Sequence, residues 1–190
     1  EEPFFAAISR RIDKRASYAI PTAGVMVNPD TAQFEMLYNP KFFADLTDLQ
    51  RGDILKHEFY HVLFEHVTGR MPDGVNLKLW NIATDLAINS HLYNLPEGGL
   101  IPGEKGTPFE HLPRGESAEW YMTNMPDFNK DDGNSQGPSS SEAQGEGGEG
   151  GDPSDNKGDG SGIPDTLDDH SGWQECPQEI KEMAKERLKE

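Results

Sequence analysis

The run Lys56-His57-Glu58-Phe59-Tyr60-His61-Val62-Leu63-Phe64-Glu65-His66 decides how the rest of the chain is read. It contains His-Glu-x-x-His, and on a helix that spacing has a chemical meaning. Four residues make just over one turn, so His57 and His61 project side by side from one face. Two imidazole nitrogens so placed can grip one Zn²⁺ at about 2.0–2.1 Å. Glu58 falls on the adjoining surface, where its carboxylate takes a proton from metal-bound water. The flanks predict the helix. Thr47-Asp48-Leu49-Gln50 reads as a capping box. Ile54, Leu55, Phe59, Val62, Leu63 and Val67 supply buried surface, and Gly69 is placed to end the helix in the left-handed conformation. Histidines four apart also arise by chance in cores and on surfaces, so a third ligand has to decide.

A catalytic zinc takes three protein ligands and keeps one position for water. A second helix is predicted from about Asn76 to Leu95, stopped by Pro96. On it Asn81, Asp85 and Asn89 recur every four residues and line one face. That face is polar in a segment otherwise apolar enough to be buried, so it needs partners, and a metal site supplies them. Asp85 is the expected third ligand, because a carboxylate also offsets the charge of Zn²⁺. Asn81 and Asn89 are expected to support the ligands or pack the helices. Glu65 follows His61 by one turn, but one straight helix does not easily wrap three ligands round an ion. His66 points off the His57/His61 face, and His91, His111 and His170 lack defining context. All four are read as surface or structural. Tyr121 and His111 are candidates to help stabilise an oxyanion. A di-iron bundle needs a second Glu-x-x-His pair, and a non-haem iron site gives no reason for Glu58. Glu58 tips the balance to zinc hydrolysis.

The chain has 190 residues, 34% of them hydrophobic, and a formal charge of −17. The polar excess is local. Residues 126–172 hold 12 Asp/Glu against 2 Lys and 11 of the 20 glycines. A charge of this sign argues against a phosphate-reading nucleic-acid binder and against attraction to anionic membranes. No apolar run is long enough to span a bilayer. One cysteine, Cys176, excludes an internal disulfide framework and fits a reducing compartment, so a cytoplasmic setting is expected. The chain starts at Glu1 without Met and its last helix stops mid-pattern, so protein beyond both ends is expected.

Residues 3–16 read as an amphipathic helix with Phe4, Phe5, Ile8 and Ile12 on one side. Residues 22–28 and 34–38 read as a hairpin closed by Asn39-Pro40, whose edge could take an extended peptide. Ser117 caps a short helix over 118–122. Residues 126–162 read as a disordered acidic linker. Within it Asp155-Asn156-Lys157-Gly158-Asp159-Gly160 fails as a calcium loop, because Lys157 occupies a ligand position and Thr166 stands where a bidentate Glu is needed. A charged helix runs from Pro177 to the end.

Several blocks together resemble one family. They are Pro3-Phe4-Phe5, Thr22-Ala23-Gly24-Val25, Leu37-Tyr38-Asn39-Pro40, the zinc motif with its trailing His66 and Arg70, Trp80-Asn81-x-Ala83-x-Asp85-x-x-Ile88-Asn89, and Ser117-Ala118-Glu119. Asp169-His170 and Trp173 echo a block beyond the linker. The chain is similar to the metallopeptidase domain of the von Willebrand A-like, "predicted metal-dependent peptidase" group of bacteria and their phages. The resemblance covers about residues 3–125. It implies a zincin-like fold, a zinc site and proteolysis. It also implies relatives that carry a von Willebrand A-like domain, absent from these 190 residues, and associate with a MoxR-type AAA ATPase.

The expected architecture is therefore α+β and mostly helical, with a small hairpin packed on the His-Glu-x-x-His helix. Residues 1–125 form the metallopeptidase domain, 126–162 the linker and 163–190 a C-terminal segment. The expected activity is hydrolysis of protein or peptide substrates by a Zn²⁺-activated water, with His57, His61 and Asp85 on the metal and Glu58 as general base. The rival is a catalytically silent zincin-like module that binds a partner peptide.

Overall fold

A computed structural model of the chain describes residues 3–128, 166, 170–173 and 176–189. The fold is α+β, and among these residues it comprises six α-helices and one three-stranded sheet. By contacts the chain divides into two compact units, Glu1–Met125 with Thr166–Glu190, and Pro126–Asp165. The acidic linker expected over 126–162, with its rejected calcium loop, lies outside the described residues apart from 126–128.

The sheet has the order β1-β3-β2, built from β1 (Asp13–Ala16), β2 (Ala23–Asn28) and β3 (Gln33–Tyr38). Strands β2 and β3 are the expected antiparallel hairpin, with Val25 opposite Met36. Asn28 starts the turn by accepting the backbone N–H groups of Asp30 and Thr31 on Oδ1, which is how Asn competes for backbone donors at turns. Ala32 closes it at φ 51°. Strand β1 corrects the expected 3–16 helix. Helix α1 covers only Pro3–Ser9, and the chain then pairs in parallel with β3 from Asp13↔Glu35 to Ala16↔Tyr38. All four β1 residues are exposed, so they carry no alternation for a sequence reading to find. Their conformation is set by a neighbour about twenty residues away.

Helix α2 (Pro40–Asp45) is a short connector capped by Asn39. Helix α3 (Asp48–Leu63) begins at the capping box, with Thr47 and Gln50 bonded reciprocally. It buries Ile54, Phe59 and Val62 beside the motif residues and packs on β2. A buried aliphatic or aromatic side chain of this kind contributes about 1.5–3 kcal/mol.

The end of α3 differs from expectation and matters to the site. The helix stops at Leu63, six residues before Gly69. Glu65 takes the left-handed conformation at φ 60°, with Glu65 N–H bonded to Val62 O and His66 N–H to His61 O. That pair of bonds is the Schellman closure. A glutamate in the place usually taken by glycine hid it from the sequence.

Helix α4 (Leu77–Asn89) starts at Asn76, whose Oδ1 accepts from Lys78 and Leu79, and Trp80, Ile82, Leu86 and Ile88 on it are wholly buried. It ends short of the expected Leu95. Asp53 on α3 accepts the backbone N–H groups of Tyr93 and Asn94 on Oδ2, which turns the chain away and fixes α4 to α3. Helix α5 (Ala118–Asn124), capped by Ser117 as expected, packs on α4. A 3₁₀ turn (Ser171–Trp173) rests on β2, and α6 (Gln178–Lys189) lies against β2 and β3. No helix among the described residues is long and apolar enough to cross a membrane.

Candidate metal centre

Helices α3 and α4 bring the motif face and the Asp85–Asn89 face together in the core. His57 Nε2 and His61 Nε2 lie 2.8 Å apart. Asp85 Oδ1 is 3.6 Å from the first and 3.3 Å from the second. A fourth donor completes the group: His170 Nε2 stands 3.3 Å from His61 Nε2 and 3.5 Å from Asp85 Oδ1. None of the four residues is more than 2% exposed, so the cluster is sealed from solvent.

The proton positions follow from the surrounding bonds. Asn89 Nδ2 donates to Leu100 O at 2.9 Å, which fixes the amide and turns Oδ1 towards His57 Nδ1 at 2.7 Å. A carbonyl oxygen only accepts, so His57 carries its proton on Nδ1 and presents a lone pair at Nε2. His61 is buried, and its pKa is held well below the usual histidine value, first by desolvation and then by the His57, His170 and His66 rings. His61 is therefore neutral at pH 7. Its Nδ1 lies 3.3 Å from His66 Nδ1. One of these nitrogens donates to the other, and the tautomer with the proton on His61 Nδ1 is the one that leaves its Nε2 free to bind a metal.

In that tautomer the His57 and His61 Nε2 lone pairs meet at 2.8 Å beside a carboxylate, an arrangement that a cation among them would stabilise. The spacing agrees. A tetrahedral ion with bonds of about 2.0–2.1 Å has ligand–ligand edges of about 3.3 Å, and four of the measured edges are 3.3–3.6 Å. Three imidazoles and one carboxylate suit a divalent transition metal. All four donor atoms lie within 4.8 Å of one another. The donor set fits a metal cofactor.

Glu58, next to His57 on α3, is wholly buried. Asn89 holds His57 directly, whereas Asn81 sits on the same helix with its Oδ1 buried and without a hydrogen-bond partner among the described residues. Tyr121 is committed to structure, donating to Pro113 O at 2.7 Å and meeting Ser90 Oγ at 2.9 Å. His111 is exposed beside Glu110. Glu65 pairs with Lys185 at 2.9 Å.

Of the histidines expected to be surface or structural, His66 is structural and His170 is neither. His66 is buried, because the Schellman closure swings it back under His61, and burial lowers its pKa to about 3. His170 joins the donor cluster from a point 109 residues after His61. No spacing rule reaches that far. The only sequence signal was the block Asp169-His170…Trp173, whose tryptophan is the anchor: its Nε1 donates to Val25 O at 2.8 Å and its ring lies 4.3 Å from that of His170.

Compared with known proteins, residues 1–189 match the family described as "Putative metallopeptidase domain". No curated protein and no solved structure matches the chain.

Proposed function

The chain belongs to this metallopeptidase-domain family, and from that premise we propose that it is a zinc-dependent peptidase of the His-Glu-x-x-His type with a zincin-like arrangement. His57, His61 and Asp85 hold the ion, and Glu58 is the general base. The observation that carries the reading is the convergence of two buried imidazoles and one carboxylate within ligand distance of a common point, with a buried glutamate next in sequence to the first histidine. When bound, Zn²⁺ supplies a Lewis acid that brings the pKa of a water to near neutrality. Glu58 accepts the proton of the attacking water and returns it to the departing amine nitrogen. Asn89 and His66 keep the His57 and His61 rings with Nε2 directed inward. Burial keeps Glu58 and the ligands in a medium where each electrostatic contact counts for more than it does in water.

The test is Glu58→Gln. The variant should retain one zinc per chain while peptide hydrolysis falls by about 10²–10⁴-fold. A variant that cleaves a responsive substrate as fast as the parent overturns the assignment. One observation favours the silent binding module instead: four protein donors fill a tetrahedron, as in structural sites. Stoichiometric zinc with no turnover across a broad peptide library, even after the cluster is opened by the substitutions below, would establish that reading.

A further inference from the structure

His170 and Trp173 reach the cluster on the same short turn, and three observations concern what that turn displaces. First, His170 fills the position that a catalytic metal keeps open, and with it in place the whole group is sealed. Secondly, β2 is an edge strand that pairs only with β3 among the described residues, and Trp173 Nε1 takes the Val25 carbonyl of that strand. An extended peptide adding to an edge uses such main-chain groups. Thirdly, the fit of the turn on β2 is close. A Cβ at Gly172 would lie 3.1 Å from Met26 Sδ and Cε, so glycine is what lets the turn approach. Trp173 also borders a cavity of about 370 Å³ lined by His66, Val67, Met71 and Leu77, while its ring lies 5.0 Å from that of His61. Moving Trp173 would join that space to the cluster.

We propose that the His170–Trp173 turn is an intramolecular occupant of the substrate position, with His170 on the fourth coordination site and Trp173 on the β2 edge where an extended peptide substrate would bind. The protein acts only when the turn leaves. The inference rests on the metallopeptidase reading for its substrate, but it makes a claim about access that is measured separately. His57, His61 and Asp85 hold the ion without help, and His170 is the exchangeable ligand.

The experiment uses the full chain loaded with Co²⁺, with metal content from elemental analysis and azide binding followed in the visible spectrum. The unaltered protein should hold one Co²⁺ and bind azide weakly, because a closed state discounts the apparent affinity by its open fraction. His170→Ala should keep one Co²⁺ and bind azide at least ~10-fold more tightly. Gly172→Val, which leaves all four ligands in the chain and only wedges the turn from Met26, should shift affinity in the same direction by a smaller factor. A folded His170→Ala that holds no metal makes His170 an obligatory ligand and overturns the proposal. So does azide affinity equal to that of the parent. Should His170→Ala not fold, unchanged azide affinity in Gly172→Val is the overturning result. Improved azide binding without peptide cleavage by any form would support the turn as occupant and overturn the peptidase reading alone.

Discussion

The helix pair α3/α4 and the C-terminal segment both supply metal-site donors, yet they are held in opposite ways. His57, His61 and Asp85 stand on helices with side-chain N-caps, wholly buried aliphatic neighbours and a cross-link from Asp53 to the chain after α4. His170 directly precedes the three-residue turn Ser171–Trp173, and α6 beyond it buries only Ala184. Helix α6 is fastened by polar contacts at the surface: Arg11 to the Arg187 and Leu188 carbonyls, Arg187 to the Thr31 and Ala32 carbonyls, Lys185 to Glu65, and Gln178 to Thr68 O. The exposed contacts among these contribute little each, and the ion pair weakens with salt. Three donors thus stand on helices of the core, and the fourth, though equally buried, stands beside a short turn held by one indole and by polar contacts. The strength of a donor's attachment is set by the packing behind it.

The contrast can be broken most forcefully from the core side. His61→Ala should cost well over ~100-fold in metal affinity, more than the ~10–100-fold expected for losing a group that merely supports a ligand. Competition against a calibrated chelator measures it. If His61→Ala binds metal no worse than His170→Ala, core and periphery do not differ. Asn89→Ala should fall within the ~10–100-fold range, because His57 loses the acceptor that fixes its tautomer. Asn89→Asp, which keeps an acceptor, should recover most of that loss in the same titration.

A pH series sharpens the comparison at the buried end. Unfolded His66 binds a proton near the ordinary histidine value, whereas the folded ring does so only at about 3. Between those values the unfolded state holds more protons, so metal-free stability is complete above about pH 6.5 and falls as pH drops. This ring alone contributes a slope of about 1.4 kcal/mol per pH unit, and His61, shifted in the same direction, adds to it. Urea melts at several pH values should show the slope, and His66→Phe should flatten it. The smallest effect belongs to the periphery. Lys185→Ala removes the pair with Glu65 and should change global stability by no more than ~1 kcal/mol, in a melt that salt makes indistinguishable from the parent.

What could be read from the chain divides along the same line. The capping box at Thr47, the cap at Ser117, the β2–β3 hairpin and the shared face of Asp85 and Asn89 are local patterns, each written within a few residues. Strand β1 was missed because its residues are all exposed and its partner is remote. The end of α3 was misplaced because Glu65 adopts a conformation usually given to glycine. A straight helix would point His66 off the His57/His61 face, and the Schellman closure at Glu65 is what brings it back beneath His61.

The sequence alone determined the donors whose spacing is a helical repeat, since 3.6 residues per turn converts position into direction without further information. It also determined the acid beside them and the polar face that answers them. Only the tertiary structure decided that a histidine 109 residues beyond His61 closes the group. That contact depends on where an indole finds a carbonyl on a strand edge and on how closely a glycine can approach a methionine. Neither is a periodicity, and both come into being only when the sheet, the turn and the helix pair are assembled.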